Sequence, residues 1–352
     1  MTPHRAEHGT TGTSDGPEAD TSKRRRIGRA WRIPLWIVAG LVGLVLLSIG
    51  ASAVLEVRDA RRFPAPGDLV ELADGRVLHL QVAGDERRGP TVVLDAGQGG
   101  FSPIFAWLQA ELATDVTVVT YDRPGYGWSD PVDRPVDAED TAADLHEALA
   151  DRGLAGPYVL VGHSIGSFYV RTFADRYPAE VVGVVLLDPA HEDQLAHLPE
   201  RAVAQMERTT SLAAWAVRLS RLGLFRLSNP QEALLADLPE RAAAEMEAIS
   251  ATPAYWRTVG AESAAFTALA AAVPADLGEH PVRIVSAPES DPAEADVRAV
   301  MDELHRELAS RSDRASHLEV TGADHLSLVT TREHAETVGT LVRDLVAEVA
   351  TR

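Results

Sequence analysis

The pattern of apolar and polar positions changes character at residue 56. From Ile33 to Leu55 the chain runs 23 residues without one charged side chain. As a helix rising ~1.5 Å per residue, this run spans roughly 34 Å, enough to cross the hydrocarbon of a bilayer. Trp31 and Trp36 stand at its start, where amphipathic rings favour the headgroup level. Lys23, Arg24, Arg25, Arg26, Arg29 and Arg32 precede the run, whereas Arg58, Arg61 and Arg62 follow it mixed with Glu56 and Asp59. That asymmetry predicts a cytoplasmic N-terminus and an extracytoplasmic remainder. Ala51-Ser52-Ala53 has the small-residue pattern of a cleavage site, but the apolar run exceeds the ~7–15 residues of a cleaved signal. The expectation is therefore a disordered, basic tail over 1–32, a single-pass anchor over 33–55 in the cell membrane, and a linker over 56–66.

Beyond the linker, short β-rich runs alternate with helical patterns. The strands expected are Asp68–Leu72, Val77–Val82, Thr91–Asp95, Val116–Tyr121, Tyr158–Val161, Val181–Leu187, Val282–Ser286 and His317–Thr321. The last six are continuously apolar, as suits parallel strands covered on both faces. Helical patterns fall at Pro103–Ala113, Ala138–Ala150, Ile165–Tyr177, Ala293–Ala309 and Arg332–Val349. This alternation predicts an α/β fold with a doubly wound, mostly parallel eight-stranded sheet. Between about His191 and His280 the rhythm breaks into Ala-, Leu- and Glu-rich helical sequence. It contains two similar starts, Leu198-Pro199-Glu200-Arg201 and Leu238-Pro239-Glu240-Arg241. The domain expected thus has a first core part over 67–190, a helical lid over 191–280 and a second core part over 281–352.

Composition removes several kinds of chemistry. With no cysteine there is no thiol nucleophile and no thiolate metal site, and with Lys23 the only lysine a Schiff base is excluded from the folded domain. The chain carries a formal charge of −19, and without its first 62 residues 23 basic side chains face 46 acidic ones. Such a domain is repelled by phosphate backbones, so nucleic acid is not a partner.

The candidate chemistry centres on Gly162-His163-Ser164-Ile165-Gly166, placed between an apolar strand and a helical pattern. Strand, G-x-S-x-G and helix together describe a nucleophile elbow, in which a sharp turn holds the serine hydroxyl exposed at a helix N-terminus. The order Ser, acid, His then predicts a base after the last strand, and His325 fits. Of the other histidines, His334 falls in the final helix, His317 at the start of a strand and His305 on a helix, facing solvent. Two acids compete: Asp291 follows Val282–Ser286, and Asp188 ends the preceding strand. Backbone N–H groups of Ile165 and, from the glycine-rich turn Ala96-Gly97-Gln98-Gly99-Gly100, of Gln98 are the oxyanion donors expected. That turn is no dinucleotide fingerprint, because the third glycine position holds Ser102. The run His191-Glu192-Asp193 lacks metal-ligand spacing and reads as polar hinge, so neither metal nor cofactor is expected.

These segments, with Tyr121-Asp122-Arg123-Pro124-Gly125-Tyr126-Gly127-Trp128-Ser129 and Asp188-Pro189-Ala190, resemble the α/β-hydrolase superfamily. The junction Arg58-Asp59-Ala60-Arg61-Arg62-Phe63-Pro64 is similar to that of membrane-anchored actinobacterial members. The resemblance implies Ser164 as nucleophile, His325 as general base and acid, Gln98 and Ile165 as oxyanion donors, and a lid after Asp188. Close relatives often lack an acid after the seventh strand, which favours Asp188 over Asp291. A serine at the elbow sets the chain apart from superfamily members that use an aspartate there. Gly97, His163, Tyr126 and Trp128 are candidate pocket residues, and Trp215, Leu222, Leu224, Phe225, Tyr255, Trp256 and Phe266 offer apolar lining from the lid. The leading expectation is cleavage of a carboxylic ester, with peptidase, lactonase, thioesterase or non-catalytic ligand binding as alternatives.

Overall fold

The computed structural model describes residues 12, 32–84 and 89–351. All of the tail expected over 1–32 except Gly12 and Arg32 lies outside them. Contacts divide the chain into two compact units, Met1–Ser48 and Ile49–Arg352. The first helix, Arg32–Arg62, contains a segment, Leu35–Arg62, that is long and apolar enough to cross a membrane, with mean hydropathy 2.4 over its most apolar 18 residues. Its side chains from Leu35 to Leu47 are largely exposed. Residues 56–62, expected as linker, continue this helix. Charge there ends the apolar run without interrupting the backbone ladder, and the helix stops at Phe63 because the following Pro64 disfavours helical geometry in the residue before it.

The second unit is built on one eight-stranded sheet, β1 (Asp68–Glu71), β2 (Val77–Ala83), β3 (Thr91–Asp95), β4 (Val118–Tyr121), β5 (Tyr158–His163), β6 (Val181–Leu187), β7 (Val282–Ser286) and β8 (Ala315–Glu319). Their spatial order is β1-β2-β4-β3-β5-β6-β7-β8. The β1/β2 and β2/β4 pairs are antiparallel and the rest parallel. Burial explains the sequence pattern. Val92 and Leu94 of β3 face Phe101, Leu108, Val338 and Val342, while Val93 faces the opposite layer with Leu145, Leu149 and Phe173. Central strands therefore tolerate no polar alternation. Edge strand β8 is only half-buried and lies two residues earlier than the sequence suggests, at Ala315–Glu319.

Helices Ala106–Leu112, Ala138–Asp151, Gly166–Arg176, Ala295–Ser310 and Arg332–Ala350 cover the sheet. Between β6 and β7 the described residues form only helices and connections, chiefly Glu200–Arg221, Glu240–Ser250 and Pro253–Ala272. Pro199 and Pro239 stand at matching N-cap positions of the first two, the origin of the near-repeat.

Candidate active site

The site lies at the carboxyl ends of β3, β5 and β6. Ser164 directly follows β5 and has φ +54°, a left-handed conformation costly for a side chain with a Cβ. Close packing imposes it: a Cβ on Gly162 would sit 2.7 Å from the Gly166 carbonyl, and one on Gly166 2.5 Å from that of Asp95. Ser164 N–H donates to the Leu187 carbonyl at 3.0 Å, and Ala190 N–H to the Ser164 carbonyl at 3.0 Å, so the end of β6 and the residues just after it clamp the turn from both sides.

His325 arrives from the loop after β8. Its Nε2 is 3.1 Å from Ser164 Oγ and its Nδ1 2.6 Å from Asp188 Oδ2. Asp188, also at positive φ (+40°), is 4% exposed, and its second oxygen accepts from Ala287 N–H at 3.1 Å and Arg298 at 2.8 Å. Burial pushes the Asp188 carboxyl up, but the hydrogen bond from His325 and the positive charge of His325 and Arg298 outweigh it and hold the group well below the usual carboxylate range. The other candidate acid, Asp291, is exposed and accepts from Ala293 N–H at 2.8 Å, capping a 3-10 turn. Geometry thus joins His325 to Asp188.

His305 corrects the expectation of a solvent-facing histidine: it is fully buried. Its Nε2 donates to the Pro189 carbonyl at 2.9 Å, and burial lowers its pKa to about 4. The neutral ring therefore accepts at Nδ1 from Ser286 Oγ at 2.7 Å, and Ser286 in turn accepts from His317 Nε2 at 2.8 Å. His317 lies at the centre of β8 rather than at its start. His334 lies in the final helix, as expected, bonded to Thr331 at 2.9 Å.

Among the described residues, neither the Ile165 nor the Gln98 backbone N–H is paired with a protein acceptor. The Gln98 side chain donates to Ser263 of helix Pro253–Ala272 at 2.9 Å. A Cβ on Gly97 would lie 2.9 Å from His163 Nδ1 and 3.1 Å from Ser164 Cβ, so this turn lies directly against the strand-to-helix turn that carries Ser164. His163 is buried and its Nε2 donates to the His325 carbonyl at 2.8 Å, tying the His325 backbone to the turn that carries Ser164. Burial takes its pKa down to about 3, leaving it neutral, with Nδ1 unpartnered.

Tyr126 and Trp128 are not free pocket-rim groups. The buried Tyr126 hydroxyl accepts from Gly99 N–H at 3.2 Å and donates to Glu262 at 2.8 Å. Trp128 Nε1 donates to the Phe63 carbonyl at 3.0 Å, and its ring packs on His79. Sequence reasoning missed the group that organises this region. The buried Arg123 guanidinium pairs with Asp95 and Glu262 and donates to the carbonyls of Ala96 and Gly97, at 2.5 and 3.0 Å. Burial pushes the Asp95 carboxyl up to about 6, against the pull of Arg123.

Of the lid's apolar candidates, Tyr255 is buried, donating to the Gly99 carbonyl at 3.0 Å, and Phe266 packs on Phe168. Phe225 packs on Trp256 and Leu222 is half-buried, whereas Trp215 and Leu224 point outward. His191 bonds Glu307, and Glu192 pairs with Arg171 and Arg311, which ties that polar run to helices Gly166–Arg176 and Ala295–Ser310 and the turn after it.

The sequence profile described as the alpha/beta hydrolase family matches residues 92–339. The chain belongs to this family. An uncharacterised fission-yeast protein (Schizosaccharomyces pombe) is 32% identical over 151 residues, covering 35% of this chain and 28% of the relative. A putative carbamate hydrolase of Escherichia coli is 35% identical over 97 residues, covering 27% of this chain and 36% of the relative. The chain spans half or less of the length of the first curated relatives it matches. Among solved structures, an esterase from Thermogutta terrifontis superposes with TM-score 0.58 at 21% identity, covering 81% of this chain and all of the esterase. An enol-lactonase from Burkholderia xenovorans superposes with TM-score 0.58 at 20% identity over 80% of this chain and all of its own. A bacterial membrane phospholipase A gives 0.58 at 18% identity, over 93% of this chain and all of the phospholipase. At these identities the likeness is one of fold.

Proposed function

We propose that the protein is a serine hydrolase that cleaves a carboxylic ester through an acyl-enzyme on Ser164. The observation that carries this reading is the continuous hydrogen-bonded line from Asp188 through His325 to a strained Ser164, beside two unpaired backbone N–H groups. As Ser164 Oγ attacks the ester carbonyl carbon, its proton passes to His325 Nε2. Asp188 holds the Nδ1 proton and balances the charge of the imidazolium. The carbonyl oxygen becomes an oxyanion facing the N–H groups of Gln98 and Ile165. His325 then protonates the leaving alkoxide oxygen. Water attacks the acyl-enzyme, gives its proton to His325, and the acid leaves as that proton returns to Ser164.

The apolar run within helix Arg32–Arg62 supports anchoring in a membrane through 33–55, and the basic flank supports an N-terminus on the cytoplasmic side with the catalytic unit across the bilayer. Fluorophosphonate labelling and hydrolysis of a p-nitrophenyl ester chain-length series by the full chain in detergent, beside Ser164→Ala, tests the catalytic reading. Labelling and turnover that vanish in Ser164→Ala are expected. A folded chain that neither labels nor turns over overturns it.

A further inference from the structure

The lid carries a surface with the composition of a membrane interface. Leu212, Trp215 and Leu227 are 60%, 55% and 84% exposed. These three therefore bury little of their apolar surface against the rest of the protein. Arg208, Leu212 and Trp215 follow each other at intervals of four and three along helix Glu200–Arg221, which puts them on one face. Arg218 stacks on Trp215, 4.7 Å from its ring centroid. Residues 208–231 include Arg208, Arg218, Arg221 and Arg226 and no Asp or Glu, inside a chain with 52 acidic residues. A cationic, tryptophan-bearing strip on an otherwise anionic domain is complementary to anionic headgroups over an apolar layer.

The position of this strip names the occupant. Ser52, inside the apolar run 33–55, donates to the Ser220 carbonyl at 3.3 Å and lies against Gly223. Four residues after Leu55, Asp59 pairs with Arg226. The last turns of the apolar helix are thus fastened to the end of the lid helix that bears the strip.

We propose that the lid segment 208–231 rests on the lipid surface, with Leu212, Trp215 and Leu227 among the headgroups and Arg208 and Arg218 against anionic lipid. This rests on the reading of 33–55 as a membrane anchor. The alternative occupant is a second copy of the chain.

The absence of native cysteine makes the test direct, since each introduced thiol carries the only label. Full-length Leu212→Cys, Leu227→Cys, Leu44→Cys and Glu303→Cys, each bearing a nitroxide, are placed in nanodiscs with and without anionic lipid. Collisional access to oxygen is then compared with access to a water-soluble nickel complex. The expected result is lipid-like access at 44, 212 and 227, aqueous access at 303, and deeper readings at 212 and 227 with anionic lipid. Aqueous access at 212 and 227 with lipid-like access at 44 overturns the proposal and leaves the anchor standing. Aqueous access at 44 as well overturns both. Shielding of 212 and 227 from both reagents, with short label-to-label distances between copies, overturns it in favour of a dimer.

Discussion

Arg298 and His325 meet on the Asp188 carboxylate: Arg298 Nη1 straddles it, 2.8 Å from Oδ1 and 3.0 Å from Oδ2, and His325 Nδ1 lies 2.6 Å from the same Oδ2. The carboxylate that would support the base is thereby shared with a permanent cation on helix Ala295–Ser310. Arg298 fixes the carboxylate's rotation and also draws off part of its field, which would otherwise stabilise a charged His325.

Replacing Arg298 with Gln should move these two effects apart. Loss of a charge-assisted hydrogen bond to Asp188 loosens its aim and should lower kcat/KM by roughly tenfold, about 1.4 kcal/mol. Loss of the cation leaves the full carboxylate charge on the imidazole, so the acid limb of the kcat/KM profile should move to higher pH. Arg298→Lys should restore the limb more fully than the rate. A limb that stays in place in Arg298→Gln would mean the guanidinium acts only as a strut.

The two candidate acids make a second contrast. Asp188→Asn keeps the shape but removes the charge and the acceptor that hold the His325 tautomer, and kcat should fall by about 10³–10⁴. Asp291→Asn should leave kcat unchanged and cost at most ~1 kcal/mol through a weaker turn cap. Equal losses in the two variants would remove Asp188 from its proposed role.

Protonation of His163 gives a third expectation. Its pKa in the folded protein is about 3 because burial disfavours the charged ring, against about 6.5 when unfolded. Below pH 6.5 the unfolded chain binds the extra proton, so stability from this group is complete above pH 6.5 and lost as pH falls toward 3. The slope approaches ~1.4 kcal/mol per pH unit. Urea unfolding of the full chain in detergent at pH 7 and pH 5 should therefore show a smaller acid loss in His163→Gln. A Gln side chain keeps a donor for the His325 carbonyl, so this variant should retain activity better than His163→Ala.

What the sequence disclosed, and what it withheld, follows from burial. Strands β3, β5, β6 and β7 were legible because both faces are covered and their residues had no reason to alternate. The elbow was legible because Gly162 and Gly166 admit no side chain. His305 was misread although Leu304 and Leu308, its neighbours on the helix, are both buried and point to the same inward face. A polar residue on an apolar face reads as solvent-exposed until its partners, here Ser286 and Pro189, are seen. The choice between Asp188 and Asp291 depends on backbone conformation, φ +40° at Asp188, which no residue pattern encodes. Nothing near Arg123 in the sequence announced its role, because its partner Glu262 lies 139 residues away on helix Pro253–Ala272.

That distant pair yields the last expectation. Glu262, on lid helix Pro253–Ala272, is 1% exposed and accepts from Arg123, Tyr126 and Tyr169 at 3.0, 2.8 and 2.9 Å. The same Arg123 holds the carbonyls of Ala96 and Gly97 beside the proposed oxyanion donor Gln98. One buried charge network therefore joins helix Pro253–Ala272 to the turn beside Ser164. Glu262→Ala would strand the hydroxyl donors of Tyr126 and Tyr169 and leave Arg123 with Asp95 as its one carboxylate partner, beside the Ala96 and Gly97 carbonyls. Breaking a buried pair in this way costs ~3–5 kcal/mol, a fall of roughly 6–20 °C in Tm for a domain of this size. Because Arg123 remains tied to Asp95, the turn should persist at reduced precision, so kcat should drop more than KM rises in the folded fraction. A stable Glu262→Ala with unchanged kcat would show that helix Pro253–Ala272 and the turn 96–100 are held independently.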